Sequence, residues 1–566
     1  MQYLVYTKLT QMPDSLWVER YPKGVPSEIG PNKYNSLIDL FETASNTYAD
    51  REAFENMGKS LTYQEIDELS TAFAAYLQQE CNLVKGDRIA LQMPNMLQYP
   101  IALIGAIKAG LIVVNTNPLY TSREMEHQFN DAEVKAVVII ANFAHSLESI
   151  LHKTKIEHVI VTKLGDLLGG FKGALVNLVV KYVKKMVPAY NLPTAVSFND
   201  ALSKGKKATF NKVEVKGEDV AFLQYTGGTT GVSKGAMLSH NNVVSHTSQI
   251  IHWFKPQLSG QELIITAIPL YHIFALTVNG IFMFAIGSKN VLITNPRDMK
   301  GFVAELKKHK FTLVTGVNTL FNGLLNNPDF KNIDFSKLKI TVGGGMAVQD
   351  FVAKKWREVT GTVLVEGYGL SETSPVLCCN PLDGSQRIGT IGLPTPSTQV
   401  AIFDEEGNQL PQGEVGEICG KGPQVMSGYW NKDNSGVFND DGWFKTGDIG
   451  VMDKDGFFKI VDRKKDMICV SGFNVYPNEV ENVIADHDKV LEVAVIGVKD
   501  AKSTEAVKAF IVKNDESLTE QELRTYCEEH LTGYKKPKHI EFRTELPKSN
   551  VGKILRRVLK EEELAK

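Results

Sequence analysis

Nine consecutive residues, Thr226 to Lys234, read TGGTTGVSK. They gather the groups that hold an anion: unhindered backbone N–H donors, hydroxyls and an ammonium. The apolar run VAFLQY ahead of them reads as a strand, so the loop falls at a strand's carboxyl end, where ligands dock in α/β folds. Spacing excludes two familiar phosphate loops. A Walker loop counted from Gly227 or Gly228 needs glycine where Val232 or Ser233 stands, and the glycine doublet breaks the Gly-x-Gly-x-x-Gly pattern. Composition alone stops at a polyphosphate site built from Thr226, Gly227, Gly228, Thr229, Thr230, Gly231, Val232, Ser233 and Lys234, flanked by Tyr225, Gly235 and Ala236.

Three more turns carry reactive or binding groups. GGGMAV supplies Gly343, Gly344 and Gly345; VEGYGLSET supplies Gly367, Tyr368, Gly369, Ser371 and Glu372. Tyr368 can stack on a base and Glu372 can hold Mg²⁺ bridging phosphates, although a tyrosine between glycines is more often only a turn. In GWFKTGDIG, Asp448 can accept from both hydroxyls of a ribose or simply cap its own turn. DKDG lacks the remaining ligands of a calcium loop, so Asp455-Gly456 reads as a hairpin.

The elements that must position these groups follow from texture. A chain of 566 residues needs more than one domain, and 43% hydrophobic with 22% charged residues is globular composition. Up to about residue 350, strand-like runs (DRIALQMP, KAVVII) alternate with helix-like ones (YPIALIGAIKAG, AHSLESILHKT), which predicts an α/β fold with helix-covered parallel sheet. From Thr398 short strands and turns predict a β-barrel-like subdomain. The last hundred residues read as a small α+β unit, with a Thr519–Glu522 capping box and a closing helix from about Val551. The charged cluster Asp462–Asp466 is the expected linker, giving a large domain over 1–463 and a small one over 464–566, whose mobility is implied only by the resemblance given below.

A net charge of -3 supplies no basic face for nucleic acid. The six cysteines have no metal spacing, and Cys378-Cys379 reads as core; this is reducing-compartment usage. The opening residues show no basic head before an apolar run, so no signal peptide is expected and the location is cytoplasmic. Leu263–Ser288 is 26 residues without a charge, yet Pro269, His272, Asn279 and Gly280 interrupt it; strand, turn and buried helix are predicted rather than a span. Leu167–Val187 mixes apolar residues with Lys172, Lys181, Lys184 and Lys185. It reads as a surface helix with a solvated basic face, or as a segment resting on anionic lipid at the inner face of the cell membrane.

Taken in order, YTGGTTGVSKGA, PLYHIFAL, GYGLSET, KTGDIG, DRKKDMICVSGFNVYPNEVE and PKSNVGKILRR resemble the acyl-adenylate-forming (AMP-binding) ligase superfamily, most closely its bacterial long-chain fatty-acyl-CoA ligases. The likeness runs from about Tyr21 onward. It implies that ATP, Mg²⁺ and coenzyme A are used to activate a fatty acid through acyl-AMP. Tyr368 would pack on adenine beside Gly343, Gly344 and Gly345. Asp448 would hold the ribose with Arg463 near, Glu372 and Thr226 would serve the metal, and Ser371 the α-phosphate. Lys553 would reach the α-phosphate and the attacking carboxylate, with His272 near that carboxylate or merely in the core. Lys465 would be the hinge, and Ser471, Gly472 and Phe473 would line the pantetheine tunnel.

Elementary electrostatics explains why such a site is needed. A fatty carboxylate is ionised at neutral pH and needs no base. Its difficulty is reaching another anion: two charges ~4 Å apart at an effective dielectric of ~20 repel by roughly 4 kcal/mol. Medium-chain or aromatic acids are the rival substrates within the superfamily. A non-catalytic membrane binder of fatty acids and an ATP-dependent kinase are rivals of other classes. The oligomeric state stays open, with a homodimer as one option.

Overall fold

The computed structural model describes residues 16–226, 233–471, 473–500, 503–549 and 552–566. Within them two large sheets, each covered by helices, carry the first two-thirds of the chain. One has seven strands in the order Val196–Ser197, His158–Thr162, Val134–Ile140, Arg88–Gln92, Ile112–Asn115, Val220–Thr226 and Lys234–Ser239. Its neighbours run parallel except the last pair, which is antiparallel with Thr226 opposite Lys234. The ends of the glycine-rich segment are therefore clamped together as the mouth of a hairpin.

The second sheet has nine strands, with a parallel centre running from Leu364–Gly369 through Ile340–Gly343, Leu313–Gly316, Leu263–Thr266 and Lys289–Leu292 to Glu52–Asn56. Central strands such as VKAVVII are apolar almost throughout because helices cover both faces. The helix Gln98–Lys108 is buried along its whole length. Its one charge, Lys108, is met by Asp67 Oδ1 and Thr71 Oγ1, each at 2.7 Å.

The uncharged run from Leu263 resolves as expected: strand Leu263–Thr266, then a π-helix Ala275–Phe282 with every residue buried. Asn279 is satisfied internally, donating to Thr266 at 3.2 Å and accepting from Thr315 at 3.0 Å. Among the described residues no helix is long and apolar enough to cross a membrane. A four-stranded antiparallel sheet follows, Gln399–Phe403, Gly416–Lys421, Phe444–Met452 and Phe458–Arg463. Its last turn is the Asp-Gly hairpin, with Gly456 at φ +86° and Asp453 Oδ1 accepting from the Phe457 N–H at 3.0 Å.

The small C-terminal domain is an antiparallel sheet extended by a parallel strand, His539–Arg543 on Thr504–Lys513. Two local expectations shift. Half of the capping box forms: Thr519 accepts from the Glu522 N–H, while the Glu522 carboxylate goes to Lys489 at 2.9 Å. The closing helix begins at Arg556 rather than near 551. Lys548 bridges Ile554, Ser549 N–H donates to Lys553 O at 2.7 Å, and Gly552 sits at φ +82°, so the described residues on either side of 550–551 pair as the two arms of a hairpin.

Candidate active site

A turn after one large sheet and a strand of the four-stranded sheet hold two carboxylates in fixed positions. Glu372 lies in the short turn Ser371–Thr373 that follows strand Leu364–Gly369. Its Oε1 accepts from Tyr429 OH at 2.7 Å and lies 3.5 Å from the Thr226 hydroxyl, at the mouth of the glycine-rich segment. Tyr429 is itself placed by backbone pairing, its neighbour Trp430 donating to Gly235 O at 2.8 Å. The Lys234 ammonium stands 5.3 Å from the Tyr429 ring centroid. Burial, then the Glu372 charge, pushes the Tyr429 phenol above its usual range, so it stays a donor to the carboxylate.

Asp448 belongs to the four-stranded sheet and is directly opposite Arg463 in the ladder. One of its oxygens accepts from Tyr368 OH at 2.7 Å, and the other pairs with Arg463 Nε at 3.3 Å. The Tyr368 phenol is likewise pushed up, chiefly by burial and then by Asp448. Tyr368, Asp448 and Arg463, which are far apart in sequence, thus form one hydrogen-bonded unit.

The small domain supplies the missing charge. Thr319 Oγ1 on the large domain donates to Gly552 O at 2.9 Å, and a Cβ on Gly552 would lie 2.5 Å from that hydroxyl oxygen. This contact brings Lys553 within electrostatic reach of Arg463, Asp448 and His272. Its Nζ has no hydrogen-bond acceptor or ion-pair partner among the described residues. The Arg463 charge first, and desolvation second, lower the Lys553 pKa to about 7. Desolvation and then the Lys553 charge lower His272 to about 4, so its imidazole is neutral at neutral pH. His272 Nδ1 accepts from the Phe274 N–H at 3.4 Å, which assigns the proton to Nε2.

Gly227, Gly228, Thr229, Thr230, Gly231, Val232 and Gly472 lie outside the described residues. Ser233 and Lys234 flank the mouth of the loop, with His127 Nε2 3.1 Å from Ser233 O. Tyr225, Gly235 and Ala236 are packed inward: the Tyr225 hydroxyl donates to Asp131 at 2.7 Å, and a Cβ on Gly235 would meet the Tyr225 ring at 2.9 Å. Gly369 also answers to packing, since a Cβ there would lie 1.7 Å from Pro375 O. Gly343 and Gly344 are buried and Gly345 is exposed at the end of their strand, while Gly367 and Ser371 are half-buried.

In the small domain, Ser471 and Phe473 are exposed; the Phe473 ring stacks on Tyr534 with centroids 4.8 Å apart. Lys465 is exposed, and desolvation followed by Arg463 lowers its pKa. Sequence reasoning passed over Tyr429 and Thr319. Neither has a motif around it, but Gly428 ahead of Tyr429, at φ +137°, marks a turn beside an aromatic pair.

The family model for AMP-binding enzymes matches residues 41–430, and the model for the AMP-binding enzyme C-terminal domain matches residues 479–553. The chain is 57% identical over 553 residues to a long-chain-fatty-acid–CoA ligase of Yersinia pestis, covering 97% of this chain and 98% of that one. It is 56% identical over 549 residues to the enzyme of the same name in Salmonella typhimurium, with the same coverage. Its fold is similar to the crystal structure of ATP-bound MatB from Rhodopseudomonas palustris, with a TM-score of 0.80 and 28% identity over 93% of this chain and 98% of that one.

Proposed function

The chain belongs to the AMP-binding enzymes, and from that premise we propose that it joins a long-chain fatty acid to coenzyme A at the expense of ATP. The carboxylate oxygen attacks the α-phosphorus, and the bond to the β-phosphate breaks with release of pyrophosphate. The CoA sulfur then attacks the acyl carbon, and AMP leaves while the thiol proton passes to solvent. The observation that carries the reading is the docking of the small domain through Thr319 and Gly552, which brings Lys553 within electrostatic reach of Asp448, Arg463 and His272. An ammonium without a partner among the described residues, held near an arginine, suits an anion.

In this reading Tyr368 packs on the adenine, beside Gly343, Gly344 and Gly345, and holds Asp448 for the ribose hydroxyls. Arg463 and Lys553 face the α-phosphate, with Ser371 as a further donor. The segment from Thr226 to Lys234 closes over the outer phosphates. His272 donates from Nε2 to the incoming carboxylate and transfers no proton at neutral pH. The Glu372 carboxylate and the Thr226 hydroxyl are hard oxygen donors that suit Mg²⁺. When bound, Mg²⁺ supplies charge neutralisation at the phosphates.

The small domain, taken as 464–566, then turns about Lys465. Ser471, Gly472 and Phe473 face the pantetheine arm. Peripheral attachment to the inner face of the cell membrane, and a homodimer, belong to the same proposal. The test is direct: ATP, Mg²⁺, CoA and fatty acids of increasing length, with AMP and thioester measured. AMP and acyl-CoA are expected, with long chains preferred. ADP as the product, or no thioester with any acid, rejects the reading; a preference for medium-chain or aromatic acids rejects its substrate class.

A further inference from the structure

We propose that the surface segment from Phe171 to Met186 is a docking surface for an anionic phospholipid bilayer. Helix Gly170–Leu178 continues through one π-turn, Val179–Val183. Small and polar groups and the half-buried Val176 hold it to the body. A Cβ on Gly173 would lie 2.2 Å from Gly165 O, and Asn177 accepts from the Gly165 N–H at 2.8 Å while donating to Asp166 at 3.0 Å. The opposite face carries Phe171, Leu175, Leu178 and Tyr182 at i, i+4, i+7 and i+11, exposed by 86%, 49%, 52% and 65%.

A surface helix of a globular domain turns such a stripe inward; this one turns it out. Val183 and Met186 extend the patch. Six of the fourteen large apolar side chains exposed among the described residues fall within these sixteen positions. Scattered singly they would need no explanation, but a contiguous patch marks a contact surface.

Charge selects the partner. Between Asp166 and Asp200 the sequence has no acidic residue and four lysines in the segment, in a chain of net charge -3. Lys172 donates to Met57 O and ties the helix down. Lys181, Lys184 and Lys185 are exposed and have no ion-pair partner among the described residues. A second copy of this chain would bring like charges together, and an apolar protein groove would strand the ammoniums. Phosphate headgroups over acyl chains satisfy both the lysines and the stripe. The biological sense rests on the ligase reading, because long acyl chains partition into bilayers and would reach the enzyme there.

The experiment is co-sedimentation of the full-length protein with phosphatidylcholine vesicles, with and without phosphatidylglycerol, in the absence of ATP, fatty acid and CoA. Binding is expected to need phosphatidylglycerol and to weaken with salt. Leu175→Glu with Leu178→Glu should lower it by roughly tenfold or more, as should Lys181→Glu with Lys184→Glu and Lys185→Glu. Both variants should ligate a short, water-soluble acid at the wild-type rate, which shows that they fold. Wild-type vesicle affinity in the stripe variant, or binding indifferent to phosphatidylglycerol, overturns the proposal. So does a lipid-free dimer in sedimentation velocity that the stripe variant dissolves. Because no substrate is present, a negative result leaves the ligase reading intact, and absence of AMP release would leave this one intact.

Discussion

The two halves of the active site are held in opposite ways. On the large domain each carboxylate is fixed by neighbours: Glu372 by the Tyr429 and Thr226 hydroxyls, Asp448 by Tyr368 and Arg463. On the small domain Lys553 has no partner for its ammonium among the described residues and is placed by the docking of a hairpin through Thr319 and Gly552. Fixed dipoles cost no reorganisation during reaction, whereas a charge brought in by a moving domain can also be taken away. The contrast accounts for one cleft serving two steps. In the proposed reaction, nucleotide and metal contacts fall to the large domain and neutralisation of the attacking pair to the small one.

The contrast can be broken first at the lysine. Lys553→Ala should lower pyrophosphate release from ATP and fatty acid by over a hundredfold, roughly 3 kcal/mol, by analogy with loss of one oxyanion donor. Glu372→Gln belongs to the immobile half and should raise the Mg²⁺ needed for half-maximal rate by roughly tenfold or more, read from a metal titration; an unchanged titration takes Glu372 out of the metal site. Gly552→Ala introduces a Cβ 2.5 Å from Thr319 Oγ1 at a left-handed backbone, and should slow adenylation by roughly tenfold, or about 1–2 kcal/mol, through docking alone. Equal slowing of the thioester half-reaction would contradict that assignment.

The smallest effect sharpens the electrostatics. With the small domain docked, Lys553 loses its proton near pH 7 instead of near the ordinary lysine value, and the charge of a bound nucleotide would pull it back up. Between about pH 7 and about pH 10, ATP binding should therefore take up part of a proton. Calorimetry in buffers of different ionisation enthalpy reads this uptake, and Lys553→Ala should remove it. The same sign means that docking of the small domain carries its full electrostatic cost below about pH 7, where the lysine is charged against Arg463, and sheds that cost as pH rises toward the ordinary lysine value.

Much of this was legible in the sequence because the signals are local. Parallel strands read as apolar runs, the Asp455-Gly456 turn names its own hairpin, and the uncharged run from Leu263 divides at Pro269 into a strand and a buried helix. The glycine-rich turns were found by composition, but not the reason for each glycine: Gly235 and Gly369 make room for Tyr225 and Pro375 rather than for a ligand. Long-range partners left no local trace. Tyr429 reaches Glu372 across 57 positions, and Lys553 depends on Thr319 in another domain. The hairpin before the last helix was read as helix because Gly552's left-handed turn cannot be told from a helix start by periodicity.

The central claim is that a lysine carried by the small domain neutralises the first step and is absent from the second. It is tested most directly by giving Lys553→Ala preformed acyl-AMP and CoA and timing thioester formation beside its pyrophosphate release. The account predicts near wild-type conversion of acyl-AMP with adenylation down by more than about a hundredfold. Loss of both half-reactions to the same extent would contradict it.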